Sequence, residues 1–204
     1  MTTNVCILDY GSGNVRSVYN MMSQIVSQVT ISNAAQDVRS ATHLILPGVG
    51  AFGASMEKIQ KKLPLKVLKE EIFTKKKPFL GICVGMQVLA ETGHEFGEHK
   101  GLGWIEGTVR KLNSGNLPLP HMGWNEVTIQ KQSPILKRFP HNPDFYFVHS
   151  YVFEVKHDKD IVGTTLYHEN FCSVLFRGNI FGVQFHPEKS QKVGKILLEN
   201  FIHI

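Results

Sequence analysis

Cys83 stands in Phe79-Leu80-Gly81-Ile82-Cys83-Val84-Gly85-Met86-Gln87, an apolar run that reaches glycine, cysteine and glycine again before a stretch able to form helix. G-x-C-x-G is the pattern of a nucleophile elbow. A strand turns sharply into a helix there and holds a reactive side chain at a strained corner. The small neighbours are needed because the backbone doubles back on itself. A helix N-terminus also favours the thiolate form of a cysteine, which is the form that attacks. A buried cysteine in a strand–helix turn is the plainer alternative, and the paired glycines move the reading to a nucleophile.

Phe181-Gly182-Val183-Gln184-Phe185-His186-Pro187-Glu188 is the second chemical segment, a buried strand ending in H-P-E. The residue before a proline is pushed toward extended backbone, and in extended chain positions i and i+2 share a side. His186 and Glu188 are then expected to face one site, the carboxylate orienting the imidazole. Cys83, His186 and Glu188 together supply the nucleophile, general base and orienting group of an acyl transfer. H-P-E alone reads as a surface turn, and only beside the elbow does it read as a base. A zinc site from the same three residues is the weaker reading, because a thiolate with a His–carboxylate pair already has a complete use.

A thiol attacking a carbonyl carbon also needs donors for the tetrahedral oxyanion. The backbone N–H of Val84, next after the nucleophile, is one. Pro47-Gly48-Val49-Gly50 can offer another, since its glycines allow backbone orientations that other residues resist. By itself that loop is an ordinary β–α turn.

The elements that must place these residues alternate. Val5–Leu8, His43–Leu46 and Pro78–Ile82 read as buried strands. A helix after Gly11-Ser12-Gly13-Asn14 carries Val15, Val18, Met22 and Ile25 on one face. Helix is expected from about Ala51 to Phe73, broken near Pro64, and again over Val84–Glu91. The pattern predicts an α/β fold with a mostly parallel central sheet flanked by helices. In doubly wound sheets of this kind, sites gather at the C-terminal strand ends, where Cys83 and His186 both fall. After Gly93 the chain turns strand-rich, with β-type runs at 105–110, 126–130, 146–148, 164–167, 173–176 and 181–185 that predict additional antiparallel strands. A last amphipathic helix carries Val193, Ile196, Leu197 and Phe201. Without repeats, low-complexity tracts or a linker, residues 1–204 read as a single domain.

The 204 residues suffice for one full core. With 42% hydrophobic and 19% charged residues, the composition is that of a globular protein. No apolar run is long enough to span a membrane, and Met1-Thr2-Thr3-Asn4 is not the basic start of a signal peptide, so a cytoplasmic protein with no membrane partner is expected. Cys6, Cys83 and Cys172 are widely spaced and lack a C-x-x-C pair, which speaks against a disulfide framework and a structural zinc site. The net charge of +5 gathers lysines between Lys58 and Lys77. No aromatic residues interleave with them as a stacking platform would require, so the stretch reads as a solvated helix face with no nucleic acid as partner.

Together the elbow, H-P-E and the Pro47–Gly50 loop resemble the class I glutamine amidotransferases, a triad family with a Cys-His-Glu site and a flavodoxin-like fold. G-I-C-V-G-M-Q is close to that family's signature, which usually has Leu at the place of Val84. The substitution keeps an apolar side chain and the backbone N–H. The resemblance covers essentially the whole chain, with no synthase domain attached.

Within the class, Asp9–Val18, Leu46–Gly53, Pro120-His121-Met122-Gly123-Trp124-Asn125 and Tyr146-Phe147-Val148-His149-Ser150-Tyr151 are similar to the glutaminase subunits of imidazole glycerol phosphate synthases. The six-residue string around Trp124, set in a Gly-containing turn, discriminates best. The resemblance implies that Cys83 attacks the side-chain amide of glutamine, that His186 passes a proton to the leaving ammonia, and that Glu188 holds His186. Gly50, Gln87, Ser150 and Tyr151 would hold the glutamine backbone groups. Val49 and Val84 would donate to the oxyanion. No cofactor or metal is implied. Ammonia would pass to a (β/α)8-barrel cyclase or synthase subunit in a heterodimer, which adds it to a phosphorylated precursor in histidine biosynthesis. Asn14, Arg16, His121, Met122, Trp124, Asn125 and Lys189 become the interface and coupling candidates. No segment offers a phosphate cradle such as a Walker loop, which fits a subunit that makes ammonia and leaves its use to another.

Other readings stay open. A paralogous pair can feed ammonia to surface-sugar amidation. Another Cys-His-Glu hydrolase, such as a peptidase, would share the triad, although Gln87 and the P-G-V-G segment speak against it. A non-catalytic module would not need Cys83, His186 and Glu188 intact.

Overall fold

Residues 3–139 and 141–204 are described in a computed structural model of the chain. From the start come β1 (Asn4–Leu8), α1 (Val15–Met22), β2 (Gln28–Ser32), α2 (Ala35–Ser40) and β3 (His43–Gly48). Next are α3 (Phe52–Lys62), α4 (Leu65–Lys69), a π-helical turn over Glu70–Thr74, β4 (Phe79–Cys83) and α5 (Val84–Gln87). Short strands β5 (Thr92–Gly93) and β6 (His99–Lys100) lead to β7 (Gly107–Lys111), β8 (His121–Glu126) and β9 (Thr128–Ile129). The chain closes with β10 (Asp144–His149), β11 (Tyr151–Val155), β12 (Ile161–Tyr167), β13 (Glu169–Arg177), β14 (Ile180–Val183) and α6 (Gln191–Ile202).

The main sheet has the order β2-β1-β3-β4-β14-β13-β12-β9. From β2 to β14 the strands run parallel, and β13, β12 and β9 continue antiparallel. The fold is therefore the expected single-domain α/β architecture, a mostly parallel sheet flanked by helices with antiparallel additions in the second half. β3 and β4 are buried throughout, as strands covered on both faces must be. Register matters most at their ends. Gly48 pairs with Cys83 across β3 and β4, and Val183 pairs with Ile82 across β14 and β4. The Pro47–Gly50 loop, the elbow and the H-P-E segment thus leave the sheet side by side at its C-terminal edge. Two smaller sheets, β10-β8 and β11-β7-β5-β6, complete the second half.

Several elements differ from the expected ones. α5 is one turn rather than a helix to Glu91. The carbonyls of Val88, Leu89, Ala90 and Glu91 accept instead from the returning backbone N–H groups of Leu102, Trp104, Gly103 and Gly101, so the helix cannot continue. Ile25 lies beyond the end of α1, half-buried against the core. Pro120–Asn125 is not a turn: His121–Glu126 is a strand paired with β10. Lys77 is not on a solvated face, because its Nζ reaches the buried Glu71 carboxylate at 2.9 Å. β2 and α2 had no counterpart in the sequence reading. The period-two alternation of Val29 and Ile31 carried the first, and α2 buries only Val38. Pro64 does separate α3 from α4, with Leu63 extended before it.

Candidate active site

Cys83 has φ +54° and ψ −112°, left-handed backbone on a residue with a Cβ. Such a conformation costs about 1–3 kcal/mol and persists only where the surroundings dictate it. The glycines dictate it here. A Cβ on Gly85 would collide with the Leu46 carbonyl oxygen, and one on Gly81 with the Gly85 carbonyl. The elbow can therefore lie flat against β3 only with glycine at both positions. α5 has only one turn, shorter than the expected helix.

His186 and Glu188 are closely joined. Imidazole Nδ1 lies 2.9 Å from Glu188 Oε1, and both side chains are nearly sealed from solvent. The geometry that achieves this is not the simple extended one. His186 is extended, but Glu188 lies in a 3-10 turn over Pro187–Lys189. Ser190 pins the turn: its hydroxyl donates to the His186 carbonyl at 2.6 Å and accepts from the Tyr146 N–H at 3.0 Å. Nδ1 is committed to the carboxylate, and Nε2 has no hydrogen-bond partner among the described residues. Burial alone would push the imidazole down, but the Cys83 thiol and then Glu188 outweigh it and raise His186 to about 10. The site therefore favours a charged imidazolium, able to donate a proton.

A cavity of about 400 Å³ opens over the elbow, lined among others by Val49, Gly50, Cys83, Val84, Gln87, Ser150, Tyr151 and His186. All nine expected catalytic, oxyanion and substrate positions reach this region, Glu188 standing behind His186. Gln87 is buried and its amide Nε2 donates to the Tyr151 carbonyl at 2.9 Å and to Gln184 Oε1 at 3.0 Å. Sequence reasoning missed Glu95, His149 and Gln184. Glu95 also lines the cavity, and its Oε2 accepts from the Phe52 N–H at 2.7 Å, tying the β5–β6 turn to the start of α3. A carboxylate well past an elbow carries no motif, so only the fold brings it in. Another cleft, about 450 Å³ beside Ser133, Lys137 and Arg138, sets no nucleophile beside a base. Among the described residues no three His, Cys, Asp or Glu side chains group as metal ligands.

The interface candidates separate into three groups. Met122 and Trp124 are exposed apolar side chains on β8, at 62% and 48% exposure, and Arg16 is exposed on α1. Lys189 is exposed at the cavity mouth, its Nζ 5.7 Å from the Tyr146 ring centre. Asn14 instead turns inward, donating to Glu188 Oε1 at 3.3 Å. His121 is buried, stacked between Phe147 and Tyr167, with Asn125 hydrogen-bonded to it. In these last three the Nδ2 groups of Asn14 and Asn125 and both ring nitrogens of His121 are engaged within the molecule.

The glutamine amidotransferase class-I family model matches residues 6–204. An imidazole glycerol phosphate synthase subunit HisH of Leptospira interrogans is 43% identical, over 96% of this chain and 97% of the relative. The subunit of the same name from Methanocaldococcus jannaschii is 44% identical, over 97% and 98%. Among solved structures, a glutamine amidotransferase superposes with a TM-score of 0.76 at 15% identity, covering 98% of this chain and 97% of that one. A chain of PurLQS from Thermotoga maritima superposes with a TM-score of 0.73 at 17% identity, covering 100% and 99%. Those likenesses carry the fold, and the sequence relatives carry more: the chain belongs to the class-I glutamine amidotransferase family.

Proposed function

We propose that this chain is the glutaminase subunit of an imidazole glycerol phosphate synthase, a single amidotransferase domain over residues 1–204 working in histidine biosynthesis. The observation that carries the reading is the convergence of Cys83, a carboxylate-held His186 and Gln87 on one cavity, in a chain more than 40% identical to subunits of that name.

Cys83 gives its thiol proton to His186 Nε2, and the sulfur attacks the side-chain amide carbon of glutamine. The developing oxyanion meets the backbone N–H groups of Val84 and Val49. His186, charged as its surroundings favour, gives its Nε2 proton to the departing nitrogen, and ammonia leaves a glutamyl thioester on Cys83. His186 then takes a proton from water as it attacks the thioester and returns that proton to the departing sulfur, so that glutamate and the free thiol result. Glu188 keeps the tautomer and orientation of His186 throughout. Gly50, Gln87, Ser150 and Tyr151 hold the amino-acid end of the substrate. Ammonia passes to a (β/α)8-barrel partner, for which Met122, Trp124, Arg16 and Lys189 form the outer contact set. Exposed aromatic and Met side chains of this kind suit an interface core.

The test is glutamate release from glutamine by the chain mixed with a barrel partner and that partner's nucleotide ligand. Turnover should rise well above that of the chain alone and vanish in Cys83→Ala. No glutamate under any of these conditions would overturn the reading. Complementation of a histidine auxotroph separates histidine biosynthesis from sugar amidation.

A further inference from the structure

A continuous run of hydrogen bonds ends on the sulfur of Cys83. Gln184, fully buried, points its Nε2 at Cys83 Sγ, 3.7 Å away. Its Oε1 accepts from Gln87 Nε2 at 3.0 Å, and the same Gln87 amide donates to the Tyr151 carbonyl at 2.9 Å. That carbonyl also receives His149 Nδ1 at 3.0 Å. His149 Nε2 lies 3.0 Å from His121 Nδ1, and His121 Nε2 lies 3.2 Å from Asn125 Nδ2. Asn125 sits on β8, the strand that exposes Met122 and Trp124.

The direction of every bond is forced. A carbonyl only accepts, so Nδ1 of His149 must carry its proton and Nε2 must accept. His121 Nδ1 must then donate and its Nε2 accept, which the Asn125 amide satisfies while its other N–H goes to the Leu166 carbonyl at 3.0 Å. At the other end, the Tyr151 carbonyl fixes Gln87 with its Nε2 outward, so Gln184 must offer its oxygen to Gln87. The amide N–H of Gln184 is left for the sulfur. Burial pushes His121 down to about 4 and His149 to about 3, so both rings stay neutral and keep the one accepting nitrogen the chain needs.

We propose that Gln184 is a positioning residue for the nucleophile, holding the Cys83 sulfur by an N–H donor whose orientation is fixed by Gln87, itself held on the Tyr151 carbonyl that His149 also donates to. The inference rests on Cys83 being the nucleophile proposed above. A sulfur that becomes negative is a good acceptor for a fixed, water-free donor, and one hydrogen bond to a charged group is worth about tenfold or more in rate. The two ends of Gln184 have separable duties, the nitrogen toward the sulfur and the oxygen toward the substrate-binding Gln87.

The test pairs two substitutions. Gln184→Glu keeps the acceptor for Gln87 but removes the donor to sulfur. Gln184→Leu removes both. The readouts are the rate at which iodoacetamide alkylates Cys83 at pH 7.5, followed by peptide mass spectrometry, and steady-state glutaminase constants with the barrel partner present. Both variants should alkylate about tenfold more slowly and lose about tenfold in kcat. KM should stay near wild type in Gln184→Glu and rise severalfold in Gln184→Leu. Gln184→Met, which keeps the length of the side chain and removes the donor without adding charge, should slow alkylation by a similar factor, and it serves as the probe if Gln184→Glu does not fold. Alkylation and kcat within twofold of wild type in Gln184→Glu, or in Gln184→Met where Gln184→Glu is unfolded, overturn the inference. A wild-type protein that neither alkylates at Cys83 nor turns over glutamine would instead sink the glutaminase reading.

Discussion

Asn14 Nδ2 donates to Glu188 Oε1 from 174 positions away, and that one oxygen also accepts from His186 Nδ1. The loop after β1 therefore steadies the carboxylate that steadies the base. Among the described residues Glu188 Oε2 has no partner, so the Asn14 contact is the carboxylate's only hydrogen bond there apart from His186. Removing it by Asn14→Ala leaves His186 as the carboxylate's sole hydrogen-bond partner among the described residues. A hydrogen bond to a charged acceptor is worth about 1.5–3 kcal/mol, so kcat should fall about tenfold or more with KM little changed. Asn14→Asp should be worse, since it sets a second carboxylate against the first. A steady-state glutaminase assay decides. A change only in affinity for the barrel partner, with kcat intact at saturation, would return Asn14 to a contact role.

Asn14 also shows where sequence reading stops. The convergence of Cys83, His186 and Glu188 was legible because the two segments that hold them are short strings: two glycines around a cysteine, and a histidine before a proline. So was the α/β alternation that set both strings at strand ends. Glu95 and Gln184 were not legible as site residues, and Asn14 was read as an interface and coupling candidate rather than a partner of Glu188, since none sits in a local pattern that names its partner. β8 was misread because Pro120, Gly123 and Asn125 are turn formers, and only pairing with β10 makes His121–Glu126 a strand. The length of α5 failed for the same reason, its carbonyls being claimed by a segment further along the chain.

The backbone at Cys83 predicts a trade between stability and activity. With φ at +54°, any side chain there is strained, and glycine is not. Cys83→Gly and Cys83→Ala should both lack glutaminase activity. Cys83→Gly should nonetheless be the more stable of the two by about 1 kcal/mol, as read from urea unfolding. Equal or reversed stabilities would mean that the elbow relaxes once the thiol is gone.

His43 sets an acid limit on stability. Its ring is buried edge-on to Phe201, 5.3 Å between centres, with Nε2 unpartnered among the described residues. Burial lowers it from an ordinary 6.5 to about 4. Between those values the unfolded chain binds a proton that the native state refuses, so stability falls as pH falls from 6.5 and levels off below about 4. His121 and His149 act in the same sense. Going from pH 6.5 to 5, His43 alone should cost about 2 kcal/mol, at roughly 1.4 kcal/mol per pH unit. His43→Gln should reduce the measured loss over that interval by this amount. An unchanged pH slope in the variant would show that His43 is already protonated, or already solvated, in the native state.

Behind the elbow, at the opposite end of β4, Glu71 and Lys77 are both sealed in the interior, 1% and 9% exposed. Lys77 Nζ contacts Glu71 Oε2 at 2.9 Å and donates to the Val38 and Arg39 carbonyls at 2.7 and 3.0 Å. Lys75 Nζ reaches the other oxygen of Glu71 at 2.7 Å. Burial pushes the Glu71 carboxyl up, but the two lysines outweigh it and hold the group below its ordinary 4.5. The pair's stabilisation is therefore present above that pH and lost as pH falls through the lowered value. Removing one partner of a buried pair leaves the other charge uncompensated, so Glu71→Leu should cost about 3–5 kcal/mol. Lys77→Met should cost less, because Lys75 still answers Glu71. The double variant should recover part of the Glu71→Leu loss, since no lone charge remains inside. Because the pair braces the base of β4 and not its catalytic end, kcat at low temperature should hold while the urea midpoint moves. A Glu71→Leu protein that unfolds within 1 kcal/mol of wild type would mean that water reaches Lys77 and the pair is not the brace its burial implies.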